Sequence, residues 1–360
     1  MWAYAALLPV DDPGAAVTLA EGGTPLLPAG SGWGCRLWLK DETRNPTGSH
    51  KDRALSVAVT RGRELGFRSC VVISAGSTGL STAAYAARAG MRCAVVVPAG
   101  TPGARLAPLG LYGATVLEAP GPFEVGLRLV EELGRQRPMY VTSTYRRGNP
   151  YQAEGTKTIG YELAAQLGRA PDWIVVPTGG GGTAAALWRA FGELRDLGLL
   201  PEAGGEDGGG ARRPRIVTVQ PSAYNALEIA LRDDLRDEAA LYALGLSEEV
   251  PTVQAKLQHG VPPDALYALE ALRASDGLAI SVTDDEALAA QRDLAREGVF
   301  GEPSAAAALA GVRRLVARGA VQPDHTVVAL VTGSGFREVA TSRPVTRQAL
   351  TETALLDALT

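Results

Sequence analysis

The sequence predicts an open, doubly wound α/β protein, and three observations carry that prediction. Short β-branched runs alternate with Ala-rich helical stretches, the runs are apolar throughout, and Gly-rich segments follow several of them directly. An apolar run without polar alternation is what a parallel strand covered on both faces requires. Right-handed crossovers then wind helices onto both faces of the sheet.

The elements follow in chain order. After Lys51, the residues Leu55, Ala58, Val59, Gly62 and Leu65 mark one apolar face of a helix. SCVVIS (69–74) reads as a buried strand, and LSTAAYAARAG (80–90) as the helix after it. CAVVVP (93–98), ATVLEA (114–119), WIVVP (173–177), RIVTVQP (215–221) and TVVALVTG (326–333) repeat the strand pattern. In VTDDEALAAQRDLAREG, Thr283 precedes Glu286 at capping-box spacing, ahead of apolar residues at helical intervals. AGGEDGGGARRP (203–214) has no apolar periodicity and reads as a surface insertion. The end of the chain, 346–360, reads as a peripheral tail helix.

Composition narrows the function classes. The 360 residues are 46% hydrophobic and 21% charged, proportions of a chain with a real core. A net charge of -4 gives no reason to expect nucleic acid or an anionic membrane as partner. No apolar run is long enough to span a bilayer, and the first residues make no convincing signal peptide, so cytoplasm is the expected compartment. Cys35, Cys70 and Cys93 are too widely spaced for a disulfide framework or a zinc site, and no metal is expected.

Four segments carry chemistry. In PTGGGGTAAALWRAF (177–191) a strand ends, four glycines follow and a helix begins, so backbone N–H groups and a helix N-terminus converge on an anion. The spacing is not GxGxxG, which disfavours a dinucleotide. LKDETRNPTGSHKDRA (39–54) brings Lys51 to the first turn of a helix, against the dipole; crowded by Arg53 and desolvated, such an amine becomes a nucleophile. VISAGSTGLSTAAYAARAG (72–90) offers Ser74, Gly76, Ser77 and Thr78 as a hydroxyl-rich turn suited to a carboxylate. ALVTGSGFRE (329–338) ends a strand in Thr332, Gly333, Ser334 and Gly335, where a hydroxyl could face a heteroaromatic ring.

These segments stand in the order found in the β-family (fold type II) of pyridoxal-phosphate enzymes, and the chain most closely resembles the threonine synthases within it. EGGTPL (21–26), YQAEGTKTIGYELA (151–164) and VFGEPSAAAALAG (299–311) extend the resemblance over roughly residues 20 to 337. It implies a tryptophan synthase β-subunit-like fold with two open, doubly wound, mostly parallel sheets. Residues 1–54 and 146–345 would form the cofactor-binding domain, with 55–145 a smaller mobile lobe. Lys51 would form the Schiff base with pyridoxal 5'-phosphate and serve as acid and base. Gly179, Gly180, Gly181, Gly182 and Thr183 would cup the phosphate, and Thr332 would sit beside the pyridine nitrogen as a mild partner that favours elimination over transamination. Ser74, Gly76, Ser77 and Thr78 would hold the substrate carboxylate. Glu154 and Lys157 would be supporting or structural. The expected protein is a homodimeric lyase acting on a small amino acid.

The departures from the pattern concern the substrate. Ser77, a cofactor-binding position in the resemblance, stands where the family usually has an asparagine packing near the cofactor's ring hydroxyl. His50 stands where threonine synthases show phenylalanine, and Ala54 where glycine is usual. Gln152 stands where an arginine holds the substrate phosphate, leaving Arg146 or Arg147 in the apparent insertion TYRRGNP as substitutes. The leading expectation is conversion of O-phosphohomoserine and water to threonine and phosphate. The alternative is a serine/threonine ammonia-lyase or β-replacement enzyme using Lys51 on a non-phosphorylated amino acid. A silent cofactor carrier and a nucleotide-binding oxidoreductase are the remaining readings; the intact Lys51 and phosphate loop argue against the first.

Overall fold

Ten strands among the residues described by this computed structural model fall into two sheets. Those residues are 1–119, 123–143, 145–200, 213–247 and 249–337; most of the 203–214 insertion and all of the 346–360 tail lie outside them. The strands are β1 (Leu26–Pro28), β2 (Arg36–Asp41), β3 (Ser69–Ile73), β4 (Arg92–Pro98), β5 (Thr115–Ala119), β6 (Tyr140–Val141), β7 (Trp173–Pro177), β8 (Arg215–Pro221), β9 (Leu278–Val282) and β10 (Thr326–Val331). The helices are α1 (Lys51–Glu64), α2 (Ser77–Ala89), α3 (Gly103–Leu111), α4 (Phe123–Gln136), α5 (Tyr151–Leu167) and α6 (Gly182–Asp196). They continue as α7 (Ala226–Arg232), α8 (Glu238–Tyr242), α9 (Ala265–Ala274), α10 (Asp284–Arg296) and α11 (Pro303–Ala317).

The larger sheet runs β1-β2-β10-β7-β8-β9 and the smaller β5-β4-β3-β6. Every pairing is parallel except β1 with β2 at one edge. All residues of β7 and β10 are buried, which is why WIVVP and TVVALV are apolar without alternation. Each predicted strand is present; WIVVP and RIVTVQP keep their bounds, and the others have an end moved by a residue or two. TVVALVTG stops at Val331 because the Thr332 carbonyl turns to accept from the His50 N–H at 3.0 Å. The helix expected from Leu80 begins at Ser77, and Thr283 and Glu286 form the full capping box of α10. β1, β2, β6 and β9 were not expected.

Both faces of the larger sheet are covered. Ala305 to Ala310 of α11, all buried, pack on Val175, Val217, Val219 and Ala329. On the other side Ile159, Leu187, Phe191 and Leu269 of α5, α6 and α9 meet Ile174, Val176, Val328 and Leu330. The apolar face of α1 packs with α2 against Cys70, Val72, Val95 and Val97 of the smaller sheet. No helix among the described residues is long and apolar enough to cross a membrane.

One buried ionic cluster ties α1 to the larger sheet. Arg53 donates through Nε and Nη2 to the Glu42 carboxylate at 2.7 and 2.8 Å, and through Nη1 and Nη2 to Glu162 at 2.7 and 2.6 Å. Lys40 Nζ of β2 reaches Glu162 at 2.8 Å. Burial alone raises the Glu162 carboxyl, but hydrogen bonds and charge from Arg53, then from Lys40, reverse this and hold it at about 2. Because its folded-state pKa is depressed, this carboxylate stabilises the fold above its unfolded pKa, and the contribution is lost as pH falls toward 2.

Two outcomes follow for urea unfolding. Arg53→Met, which leaves buried Glu42 without its cation and Glu162 with Lys40, should destabilise by about 3–5 kcal/mol. Glu162→Gln should weaken the fold at neutral pH and flatten the acid loss between about pH 4.5 and 2 that the native chain shows.

Candidate active site

A cavity of about 490 Å³ opens where the two sheets meet. It is lined by Lys51, by Ser74 to Thr78, by Gly179 to Thr183 and by Thr332, so the four chemical segments of the sequence converge on one space. The carboxyl ends of β7 and β10 deliver the glycine run and Thr332, as an open α/β sheet requires.

Local hydrogen bonds lock the turn that carries Lys51. Ser334 N–H donates to Gly48 O at 2.9 Å, and His50 N–H to Thr332 O at 3.0 Å, so residues 48–50 are stitched to the end of β10. Burial pushes the Lys51 amine down to about 8, with the Asp264 carboxylate opposing. His50 is pushed down to about 3, first by burial and then by the Lys51 charge, and is therefore neutral. Its Nδ1 lies 3.1 Å from the Thr332 carbonyl, which can only accept. Nδ1 thus carries the proton, and Nε2 is left as the acceptor for the Thr183 hydroxyl at 3.4 Å. That tautomer links the lysine turn to the first turn of α6.

Three of the four glycines of 179–182 answer a steric demand. A Cβ at Gly179 would stand 2.8 Å from Lys256 O, and one at Gly182 would stand 2.6 Å from Asp264 Oδ2. Gly181, at φ +91°, would bring a Cβ to 2.9 Å from Asp264 O in the left-handed region. The loop therefore packs bare backbone against the segment 256–264 while α6 aims its N-terminus at the cavity. A phosphate fits such a cup, and a heteroaromatic aldehyde attached to it has Lys51 as the amine on the same cavity.

The carboxylate-type turn is equally built. Ser74 Oγ accepts from Gly76 N–H at 3.1 Å, and a Cβ at Gly79 would collide with Ser74 O at 2.1 Å, so the chain doubles back tightly into α2. Ser77 Oγ accepts from Arg337 at 2.8 Å. Thr78 is buried in the first turn.

The remaining expected residues divide. Gln152 lines the cavity, donating through Nε2 to Ser143 O at 2.5 Å, while its buried Oε1 has no hydrogen-bond partner among the described residues. Arg146 also lines it, but its guanidinium stacks over Tyr267 at 4.7 Å and its N–H donates to Asp264. Arg147 is a correction. It does not line the cavity; its side chain is 82% exposed and lies 4.0 Å from Glu238, because the 146–148 turn directs it outward. Glu154 and Lys157 pair with each other at 2.7 Å, away from the cavity lining.

Sequence reading missed Arg105, Asn149, Lys256, His259, Asp264, Glu302 and Ser304, all on the cavity wall. Most belong to segments without periodicity or a glycine signal. The Ser304 hydroxyl accepts from Lys256 N–H at 3.2 Å, seating the 3₁₀ turn Ala255–Leu257 against the N-terminus of α11. From there the Lys256 ammonium lies 3.7 Å from where a Gly76 Cβ would be, so this turn spans from the glycine cup to the Ser74–Thr78 turn.

Comparison with known proteins agrees with this geometry. Residues 17–333 match the family described as "Pyridoxal-phosphate dependent enzyme", and the chain belongs to that family. Relatives named threonine synthase resemble it over most of their length. That of Halalkalibacterium halodurans is 36% identical over 342 residues, covering 93% of this chain and 88% of the relative. That of Methanocaldococcus jannaschii is 35% identical over 345 residues, covering 94% and 80%. Among solved structures, O-ureido-L-serine synthase matches with a TM-score of 0.72 at 20% identity, over 95% of this chain and 98% of that one. Threonine deaminase isoform 2 from Solanum lycopersicum matches with a TM-score of 0.70 at 19% identity, over 88% and 82%. At that identity the structures establish the fold, which is fold type II.

Lysine chemistry gives a direct check. The rate of pyridoxal-phosphate uptake should rise with pH through a midpoint near 8, because only the neutral amine attacks. An exposed lysine would give a midpoint of about 10.4. Gly181→Ala should weaken cofactor binding by about tenfold or more, measured by equilibrium dialysis.

Proposed function

We propose that the chain is a pyridoxal-phosphate-dependent threonine synthase, converting O-phosphohomoserine and water to threonine and phosphate. The observation that carries the reading is the half-buried, desolvated Lys51 amine, lowered to about 8, sharing one cavity with the glycine cup and the Ser74–Thr78 turn. Identities of 35–37% to relatives named threonine synthase, over most of the chain, support the choice of reaction.

When bound, the cofactor supplies an electron sink for charge that develops at Cα and Cβ. Lys51 takes the proton from Cα and then from Cβ, and the Cβ electron pair expels phosphate from Cγ. Lys51 returns a proton at Cγ, water adds at Cβ, and a last proton goes back to Cα. An amine with a pKa of about 8 can do both near neutral pH. The backbone N–H groups at the start of α2, with the Ser74 and Thr78 hydroxyls, hold the substrate carboxylate. Thr332, being a hydroxyl rather than a carboxylate, leaves the ring a mild sink. Residues 55–145 act as the lobe that closes and excludes water. A cytoplasmic homodimer is the expected form.

A second reading rests on Gln152. Its amide is held by Ser143 O and offers no cation for a substrate phosphate. Arg146, stacked on Tyr267, would have to turn to replace it. The second reading is an ammonia-lyase or β-replacement enzyme on a non-phosphorylated amino acid.

The assay that separates them adds O-phospho-L-homoserine to cofactor-loaded protein and quantifies phosphate and threonine. Equal release of both is expected. No phosphate, together with 2-oxo acid formed from serine or threonine, would reject the synthase in favour of the lyase.

A further inference from the structure

Arg337 lies beyond the family match, which ends at residue 333, and it does not line the cavity. Yet it joins the two halves of the site. The 3₁₀ turn Gly335–Arg337 is fixed by Phe336, whose ring meets Phe300 edge-on at 5.0 Å, and by Gly335 N–H donating to Phe300 O at 2.8 Å. From this turn the Arg337 side chain crosses Gly48, where a Cβ would lie 3.5 Å from its Cδ. Its Nη1 then reaches Ser77 Oγ at 2.8 Å. Gly48 belongs to the turn before Lys51, and Ser77 opens α2 beside the smaller sheet.

The hydrogen-bond inventory gives this contact a direction. A guanidinium has donors only, so the Ser77 oxygen is the acceptor. The hydroxyl proton of Ser77 is then available elsewhere, and Ser77 lines the cavity. A hydroxyl that accepts from a cation is also a stronger donor.

We propose that Arg337 is a positioning residue that fixes Ser77 as a hydrogen-bond donor to an anionic oxygen in the cavity, and clasps the α2 turn to the lysine turn. The inference rests on the cavity being the cofactor and amino-acid site. The anionic oxygen belongs either to the ring hydroxyl of the cofactor or to the substrate carboxylate. Ser77 with Arg337 behind it would do the work of a larger donor at position 77.

The test uses cofactor-loaded protein and the variants Arg337→Met, Arg337→Lys, Ser77→Ala and the Arg337→Met/Ser77→Ala double variant. Two quantities are read: the pH midpoint of the cofactor's visible band without substrate, and KM against kcat for the amino acid. If the ring oxygen is the acceptor, Arg337→Met raises the midpoint by about half to one pH unit, because a Ser77 hydroxyl no longer polarised by the guanidinium is a weaker donor to the ionised oxygen. If the substrate carboxylate is the acceptor, the midpoint stays and KM rises about three- to tenfold with a smaller change in kcat. Either result, partly restored in Arg337→Lys and absent when Ser77→Ala is already present, supports the clasp. No change in either quantity overturns it, as does an Arg337→Met effect that is undiminished in the Ser77→Ala background. A native protein that develops no visible band with the cofactor overturns instead the site reading beneath it.

Discussion

Arg53 stands two residues past Lys51 on the same helix and is wholly buried between Glu42 and Glu162. Through those carboxylates it joins α1 to the end of β2 and to α5, and Lys40 adds a further cation to Glu162. Desolvating such charges costs several kcal/mol per ion, which only near-complete hydrogen bonding offsets. Here Thr24 and Thr158 contribute the remaining partners. The consequence is positional. An amine at a helix N-terminus, buried and against the dipole, is unfavourable unless its helix cannot move away, and this cluster pins α1 under the cavity. The stitching of residues 48–50 to β10 does the same from the other side.

With the helix fixed, the site's electrostatics follow from geometry. Lys51 is half-buried and desolvated enough to lose much of its preference for the charged form, with Asp264 as the counter-charge. The Asp264 carboxyl is itself raised by burial, against the Arg146 N–H and the Lys51 charge. Neutral His50 couples Lys51's turn to α6 without adding a competing cation.

Much of this was legible in the sequence, and what was not had physical reasons. The central strands announced themselves because both faces are buried, as in WIVVP and TVVALV. RLWLKD did not, because β2 carries Arg36 exposed at one end and Lys40 and Asp41 buried at the other, paired rather than apolar. The glycine cup and Lys51 were visible as a local arrangement of residue types. Lys256, His259 and Asp264 were not, since their segment has no period and gains meaning only when the 3₁₀ turn docks on Ser304 and the cup. Arg147 looked equivalent to Arg146, but only the fold could show that one faces the cavity and the other faces solvent. The Arg337–Ser77 contact, 260 residues apart in the chain, has no local signature at all.

The lysines of the chain are Lys40, Lys51, Lys157 and Lys256, which makes the central claim simple to examine. Lys40 and Lys157 are committed to buried carboxylates, while Lys51 and Lys256 reach the cavity. Borohydride reduction of the cofactor-loaded protein, followed by peptide mapping, would report which amine holds pyridoxal phosphate. The account predicts a single modified peptide containing Lys51. Modification at Lys256, or spread over several lysines, would contradict it.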